Sequence, residues 1–277
     1  MAVTVLDLEV ERLVRLALEE DLGAGDLTTE GVIPADATCD AELLVKEPGV
    51  VCGLQVAEAV FRVLDPSVTF EAAVDDGARL EAPARIASLA GPARPILTGE
   101  RTALNFLGRL SGIATLTRQF VDAVEGTGAG VLDTRKTTPR LRALEKYAVR
   151  CGGGQNHRFG LYDGILVKDN HLAVAGSIRE AVARAKRDEI PVQVEAETLD
   201  DVRHALEAGA DSILLDNFRP AELVRAVELV GGRVRLEASG GVSLETIREI
   251  AGTGVDFVSI GALTHSARSL DVSLEVL

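Results

Sequence analysis

Residues 192–217 read VQVEAETLDDVRHALEAGADSILLDN. The segment opens and closes on short runs rich in Val, Ile and Leu, VQVEAET and SILLDN. Between them DDVRHALEAG repeats apolar residues at helical spacing and stops at Gly209. Strand, helix and strand in so short a space predict a βαβ unit with parallel strands. The unit repeats in both directions. Upstream, VLDTRK (131–136) and GILVKDN (164–170) read as strands. PRLRALEKYAVR (139–150) and SIREAVARAKRDE (177–189) read as helices, with Pro139 suited to a first helical turn. Downstream, PAELVRAVELV (220–230) and SLETIREIAG (243–252) read as helices, VRLEASGG (234–241) and FVSIGAL (257–263) as strands.

Six strands alternating with helices fit a βα barrel or a doubly wound open sheet, in either case with apolar strands covered on both faces. The strand ends favour the barrel. They carry Arg135-Lys136, Lys168-Asp169-Asn170, Glu195 and Glu197, Asp216-Asn217, Glu237 and Ser239, then Ser259 and Gly261. A barrel gathers all of these at one rim, whereas an open sheet spreads them along a line. Helix capping accounts for Ser177, Asp200 and Ser243, but not for six polar ends in succession.

The region before the barrel lacks this alternation. LEVERLVRLALEEDLG (8–23) and LQVAEAVFRVLD (54–65) read as helices, and AELLVK (41–46), VTFEAAV (68–74) and ARIASLA (84–90) as strands. A long helix spans residues 100–124, with a kink expected near Ser111-Gly112. We set the domain boundary inside it, giving a mixed N-terminal domain over 1–110 and a barrel over 111–266.

Charge singles out residues 133–171. The chain carries −14 overall, yet this stretch holds eight Lys or Arg against four acids. Cations gathered against the prevailing sign attract an anion. Glycines 152, 153, 154, 160 and 164 among them suit backbone wrapped closely around a small ligand. The acidic whole argues against a nucleic-acid surface. No apolar run is long enough for a membrane span, and acids at Asp7, Glu9 and Glu11 do not suit a signal peptide. Cys39, Cys52 and Cys151 are odd in number and widely spaced, which we read as reduced thiols of a cytoplasmic protein.

Several rim groups have two readings. Ser239-Gly240-Gly241, ahead of a helix expected near Ser243, offers backbone N–H groups to a phosphate, with Gly261 completing the cup; GG also serves as a plain turn. Glu197 and Asp216 suit a divalent cation, ribose hydroxyls or a cationic transition state; equally, nearby basic residues neutralise them. His157 is a catalytic or ligand-orienting group, or a satisfied loop histidine. His171 and His265 follow strands, while His204 lies on a helix. Cys151 has no partners for a nucleophilic role.

LDTRKTTP, GGGQNHRFGLYD, ILVKDNH, VEAET, LLDN, EASGG and SIGALTHS follow one another as in quinolinate phosphoribosyltransferases, which the chain resembles over most of its length. GDLTTE, VCG and GERTALNFLGRLSGIAT extend the match upstream. The resemblance implies an open parallel α/β barrel (TIM-like) with an N-terminal α/β sandwich domain, against which residues 267–277 tuck. It implies phosphoribosyl transfer to quinolinate with decarboxylation, in the synthesis of nicotinate mononucleotide for NAD, with Mg²⁺ required. It also implies homodimers with shared active sites. By similarity, Arg101 reaches the neighbour's site, and Arg135, His157, Arg158 and Lys168 bind quinolinate. Lys136 lies near pyrophosphate or substrate, and Glu197 and Asp216 serve the ribose and metal. Ser239, Gly240, Gly241 and Gly261 hold the 5′-phosphate. Lys136, Lys168, Glu197 and Asp216 form the implied catalytic set. Arg140 departs from the family, many members having Gly after TTP, and invites an extra anion contact. The alternatives are a related barrel transferase acting on nicotinate or another anionic substrate, and a non-catalytic anion-binding protein.

Overall fold

The computed structural model describes residues 5–186 and 190–277. The chain divides into two compact units, Met1–Thr115 with Ala267–Leu277, and Leu116–Ser266.

The second unit holds a six-stranded parallel sheet. Its spatial order is Gly130–Leu132, Phe257–Ser259, Arg235–Ser239, Ser212–Asp216, Val192–Ala196 and Ile165–Val167. From the second strand onward, each strand lies beside its successor in sequence, and the last pairs with the first. That cyclic order is a barrel with one open seam, between Gly130–Leu132 and Ile165–Val167. At the seam Gln155 forms a single parallel bridge with Leu132, so part of the GGGQNHR segment acts as a one-residue strand.

Alternation along each strand sorts residues by face. Val192, Val194, Ala196, Ile213, Leu215, Leu236, Ala238 and Val258 are all within 3% of full burial and form the apolar side. The intervening face is mixed: Gln193, Glu195, Glu237, Ser239 and Ser259 are polar, and Leu132, Leu166, Leu214 and Phe257 share their register. Gln193 Nε2 donates to Glu237 Oε2 at 2.8 Å, although a whole strand, Ser212–Asp216, lies between theirs. Strands two apart are separated by about 9–10 Å in a flat sheet, and the inward curvature of a closed one brings these side chains together. The polar set therefore lines the barrel interior. The expectation of strands apolar on both faces holds on the helix-facing side and, inside the barrel, only at positions such as Leu132, Leu166 and Leu214.

Helix boundaries differ from expectation at several places. The helix expected from Pro139 begins at Arg142 and runs to Cys151. Buried Glu145 reaches back to accept from Thr138 N at 2.9 Å and Thr138 Oγ1 at 2.8 Å, holding the preceding residues as a turn. Within it Arg140 has φ +68°, a left-handed conformation no helix admits. Arg140→Gly is expected to gain about 0.5–1 kcal/mol, strain relief exceeding the added chain entropy, and to raise the melting temperature by about 1–3 °C. A fall in melting temperature on calorimetry would show that the arginine side chain stabilises the turn. The helix expected over 177–189 is observed as Ile178–Ala185, with Ser177 accepting from Glu180 N as its cap. Residues 187–189 lie outside the described residues. Asp200 is not a cap: Thr198 accepts from Asp201 N, and Asp200 sits in the first turn paired with Arg203.

The first unit carries an antiparallel sheet ordered Val272–Val276, Thr38–Val45, Ala84–Pro92 and Thr69–Ala72. The chain's last strand thus pairs with its first long one, Leu43 opposite Leu274. Helix Leu54–Leu64 buries Val56, Ala57, Val60 and Phe61, an apolar stripe at helical spacing. The long helix spans Ala93–Ala123, unbroken at Ser111-Gly112. Ser111 Oγ exchanges hydrogen bonds with the Cys52 backbone, and a Cβ on Gly112 would collide with Arg268 O. Those two small residues serve close packing. Among the described residues no helix is long and apolar enough to cross a membrane.

Candidate active site

The ladder sets the rim. Ser239 stands opposite Asp216 on one side and Ser259 on the other, and Ser259 stands opposite Leu132. Ala196 pairs with Leu215, so Glu197 and Asp216 follow at neighbouring strand ends. Asp216 accepts from Asn217 Nδ2 at 2.7 Å, and Glu197 uses its backbone N–H to reach Asp201. Neither carboxylate is ion-paired among the described residues. Two oxygen-rich groups left open to the mouth fit a hard divalent cation or sugar hydroxyls.

The segment 155–158 hangs from a buried ion pair. Asp133 and Lys146 pair with no solvent exposure of either side chain. The Asp133 carboxylate also accepts from His157 N at 2.9 Å and Asn156 Nδ2 at 2.6 Å, and Lys146 Nζ donates to His157 O at 2.9 Å. Burial pushes the Asp133 carboxyl up and the Lys146 ammonium down, and their mutual attraction opposes both shifts. Lys146 is therefore an internal tether, not a ligand cation. Arg142 is also spent internally, donating to Thr137 Oγ1 at 3.0 Å and Phe159 O at 2.8 Å. Sequence alone counts both among the cations of the basic stretch; their neighbours take them out.

The remaining cations behave otherwise. Arg135 and Lys136 are exposed, and no acid pairs with either among the described residues. Arg158 is half-buried and donates to Gly164 O at 2.8 Å. Burial lowers its pKa, and repulsion from Arg135 lowers it further. Asp163 offsets part of that repulsion, and two guanidinium groups held near each other are poised for an anion. Lys168 is held by Glu195, whose side chain is 9% exposed against 43% for the lysine. The Lys136 side chain lies over Gly261, where a Cβ would come within 3.0 Å of its Cδ.

Gly240 has φ +101°, and a Cβ there would strike the Asn217 side chain. Asn217, itself at φ +57°, donates its N–H to Ser239 O at 2.8 Å. The Ser239-Gly240-Gly241 turn and the Asp216 strand end are thus packed as one piece. The regular helix that follows covers Ile247–Ala251, after a turn in which Ser243 N donates to Thr246 Oγ1. Gly241 is separated from that helix, so N–H groups offered to an anion come from the loop itself. This corrects the expectation of a helix N-terminus at Ser243.

Arg101 is in the first unit, exposed on the long helix, and with Asn105, Ser269 and Asp271 lines a cavity of 290 Å³. His157 donates through Nε2 toward Gln193 Oε1 at 3.0 Å and Glu237 Oε2 at 3.3 Å. Sequence reasoning marked Glu195 and Glu237 only as polar strand ends and passed over Gln193. The i, i+2, i+4 spacing of Gln193, Glu195 and Glu197 was the available signal.

The model of the quinolinate phosphoribosyl transferase N-terminal domain matches residues 26–111, and that of the C-terminal domain matches residues 113–275. The chain belongs to the quinolinate phosphoribosyltransferase family. It is 44% identical over 272 residues to a probable nicotinate-nucleotide pyrophosphorylase [carboxylating] of Bacillus subtilis (strain 168), covering 97% of this chain and 94% of the relative. It is 46% identical over 273 residues to the nicotinate-nucleotide pyrophosphorylase [carboxylating] of Mycobacterium leprae (strain TN), covering 95% of each. Among solved structures, the nicotinate-nucleotide pyrophosphorylase of Francisella tularensis superposes with a TM-score of 0.96 at 42% identity, over 99% of this chain and 98% of that one. NadC of Streptococcus pyogenes gives 0.94 at 42% identity over the whole of both chains. Family membership accounts for the barrel together with its N-terminal α/β domain.

Proposed function

We propose that this chain joins the ring nitrogen of quinolinate to the ribose of phosphoribosyl pyrophosphate. Pyrophosphate leaves, and loss of the adjacent carboxylate as CO₂ gives nicotinate mononucleotide in de novo NAD synthesis. The observation that carries this reading is the coexistence, on one barrel, of unpaired cations (Arg135, Lys136, Arg158) and unpaired carboxylates at neighbouring strand ends (Glu197, Asp216).

Quinolinate brings two carboxylates, which guanidinium forks match in geometry; Arg135, Arg158 and the tethered Lys168 hold them. Departure of pyrophosphate leaves positive charge on the sugar, which Glu197 and Asp216 stabilise while Lys136 faces the leaving group. The Ser239 side chain and loop N–H groups at Gly240, Gly241 and Gly261 cradle the 5′-phosphate. Glu197 and Asp216 would hold Mg²⁺, their open oxygen donors suiting it, and the ion would supply charge neutralisation for pyrophosphate. The ribosylated ring nitrogen is cationic and stabilises the carbanion formed as CO₂ leaves, so no protein nucleophile is needed. What the residues contribute is position and field, worth about 7–11 kcal/mol in favourable cases.

The finer reading is a cytoplasmic homodimer in which Arg101 acts at the partner's barrel. Arg101→Ala and Lys168→Ala enzymes, each inactive, are mixed under exchange conditions, and CO₂ release from quinolinate is measured. Random exchange gives hybrid dimers with one intact site and restores roughly a quarter of wild-type activity. Hybrids seen by native mass spectrometry that stay inactive would overturn the shared site. A wild-type enzyme that turns over nicotinate and releases no CO₂ from quinolinate would overturn the reaction.

A further inference from the structure

The Nε2 atom of His157 faces Gln193 Oε1 and Glu237 Oε2, and its Nδ1 accepts from Arg158 N at 2.7 Å. Its own backbone N–H goes to Asp133 and its carbonyl accepts from Lys146. All four polar groups of residue 157 are thus engaged within the protein. Glu237, 4% exposed, sits deep on the interior face and receives Gln193 Nε2 as well. The ring satisfies both sides at once with its proton on Nε2, donating inward and accepting from the Arg158 amide. Arg158 follows directly along the chain and keeps guanidinium N–H groups beyond the one given to Gly164.

We propose that Glu237 and Gln193 are positioning residues for quinolinate: they lock the His157 ring, and the ring fixes the backbone from which Arg158 projects. Neither touches substrate; both act through the His157 ring. This rests on the reading that Arg158 holds a quinolinate carboxylate.

The geometry favours positioning over plain packing. A buried carboxylate on a barrel wall is costly and needs partners. Here the partners lead in two steps to the segment that carries Arg158. An amide at 193 and a carboxylate at 237 form a donor–acceptor pair that fixes which ring nitrogen carries the proton.

The test uses the full-length enzyme and separates the Michaelis constants of the two substrates. Glu237→Gln and Gln193→Ala are each expected to raise KM for quinolinate roughly tenfold, the worth of a mispositioned hydrogen bond, with KM for phosphoribosyl pyrophosphate unchanged. A merely structural loss would lower the active fraction, reducing kcat and leaving both constants alone. His157→Ala combined with Glu237→Gln should cost no more than His157→Ala alone, because both act along one path. Additive effects would show that Glu237 acts independently of His157 and would overturn the proposal, as would an unchanged KM for quinolinate in either single variant. Wild-type enzyme inactive on quinolinate would instead remove the functional reading on which it rests.

Discussion

Lys146→Met is expected to lower the melting temperature by about 10–15 °C, an effect of about 3–5 kcal/mol. The magnitude follows from what is left behind. Lys146 and Asp133 are both fully buried, and burial opposes the charge of each. Methionine fills the lysine's volume, so packing changes little, but the Asp133 carboxylate then faces the interior uncompensated. Removing one partner of a buried pair costs far more than replacing both. Asp133 is also where segment 155–158 is fastened, through His157 N and Asn156 Nδ2. Asp133→Asn should therefore fall between wild type and Lys146→Met, since the amide keeps an acceptor for one of those donors. Thermal unfolding of the three proteins side by side decides it. A loss under about 1 kcal/mol for Lys146→Met would mean that the carboxylate is protonated in the native protein and the pair is not ionic.

The second expectation concerns a cation at the rim, and the contrast shows what sequence can distinguish. Lys146 and Lys168 lie in the same basic stretch, 22 positions apart, and both look like ligand cations when charge alone is counted. What separates them is the helical face. Lys146 falls among Leu144, Glu145, Ala148 and Val149, the buried side of its helix. The stripe was visible in the sequence, but a lysine on it reads as an exception until Asp133 is seen beneath.

The alternation of strands and helices was legible because each short apolar run is bounded by turn residues, and the rim followed because every run ends in polar groups. Interior contacts were not legible. Gln193 and Glu237 are 44 positions apart and meet because the sheet closes on itself. Helix Asp169–Ala175 was hidden for a different reason: DNHLAVA has no apolar stripe, and its start is set by His171 Nδ1 accepting from Lys168 N. In the long helix, the packing role of Ser111 and Gly112 was not legible, because Cys52 and Arg268 lie far off in sequence.

Lys168→Ala is expected to reduce kcat/KM for quinolinate by roughly 100- to 1,000-fold with the fold intact. Two losses add. The first is a charge-assisted hydrogen bond to a substrate carboxylate, worth about 1.5–3 kcal/mol. The second is specific to this site. Glu195 is almost wholly buried and pairs with Lys168, so truncation leaves a bare carboxylate facing a dianionic substrate. Repulsion between like charges in that setting adds to the loss. Arg135→Ala exposes no such group, and its effect should stay nearer tenfold to 100-fold. The double variant Lys168→Ala with Glu195→Gln separates the two contributions: removing the stranded charge should recover part of the activity that Lys168→Ala loses. Steady-state kinetics on the four enzymes, with circular dichroism to verify folding, provides the check. If the double variant is worse than Lys168→Ala, Glu195 has a role of its own beyond holding the lysine. If Lys168→Ala and Arg135→Ala both keep near-normal efficiency, neither cation holds quinolinate.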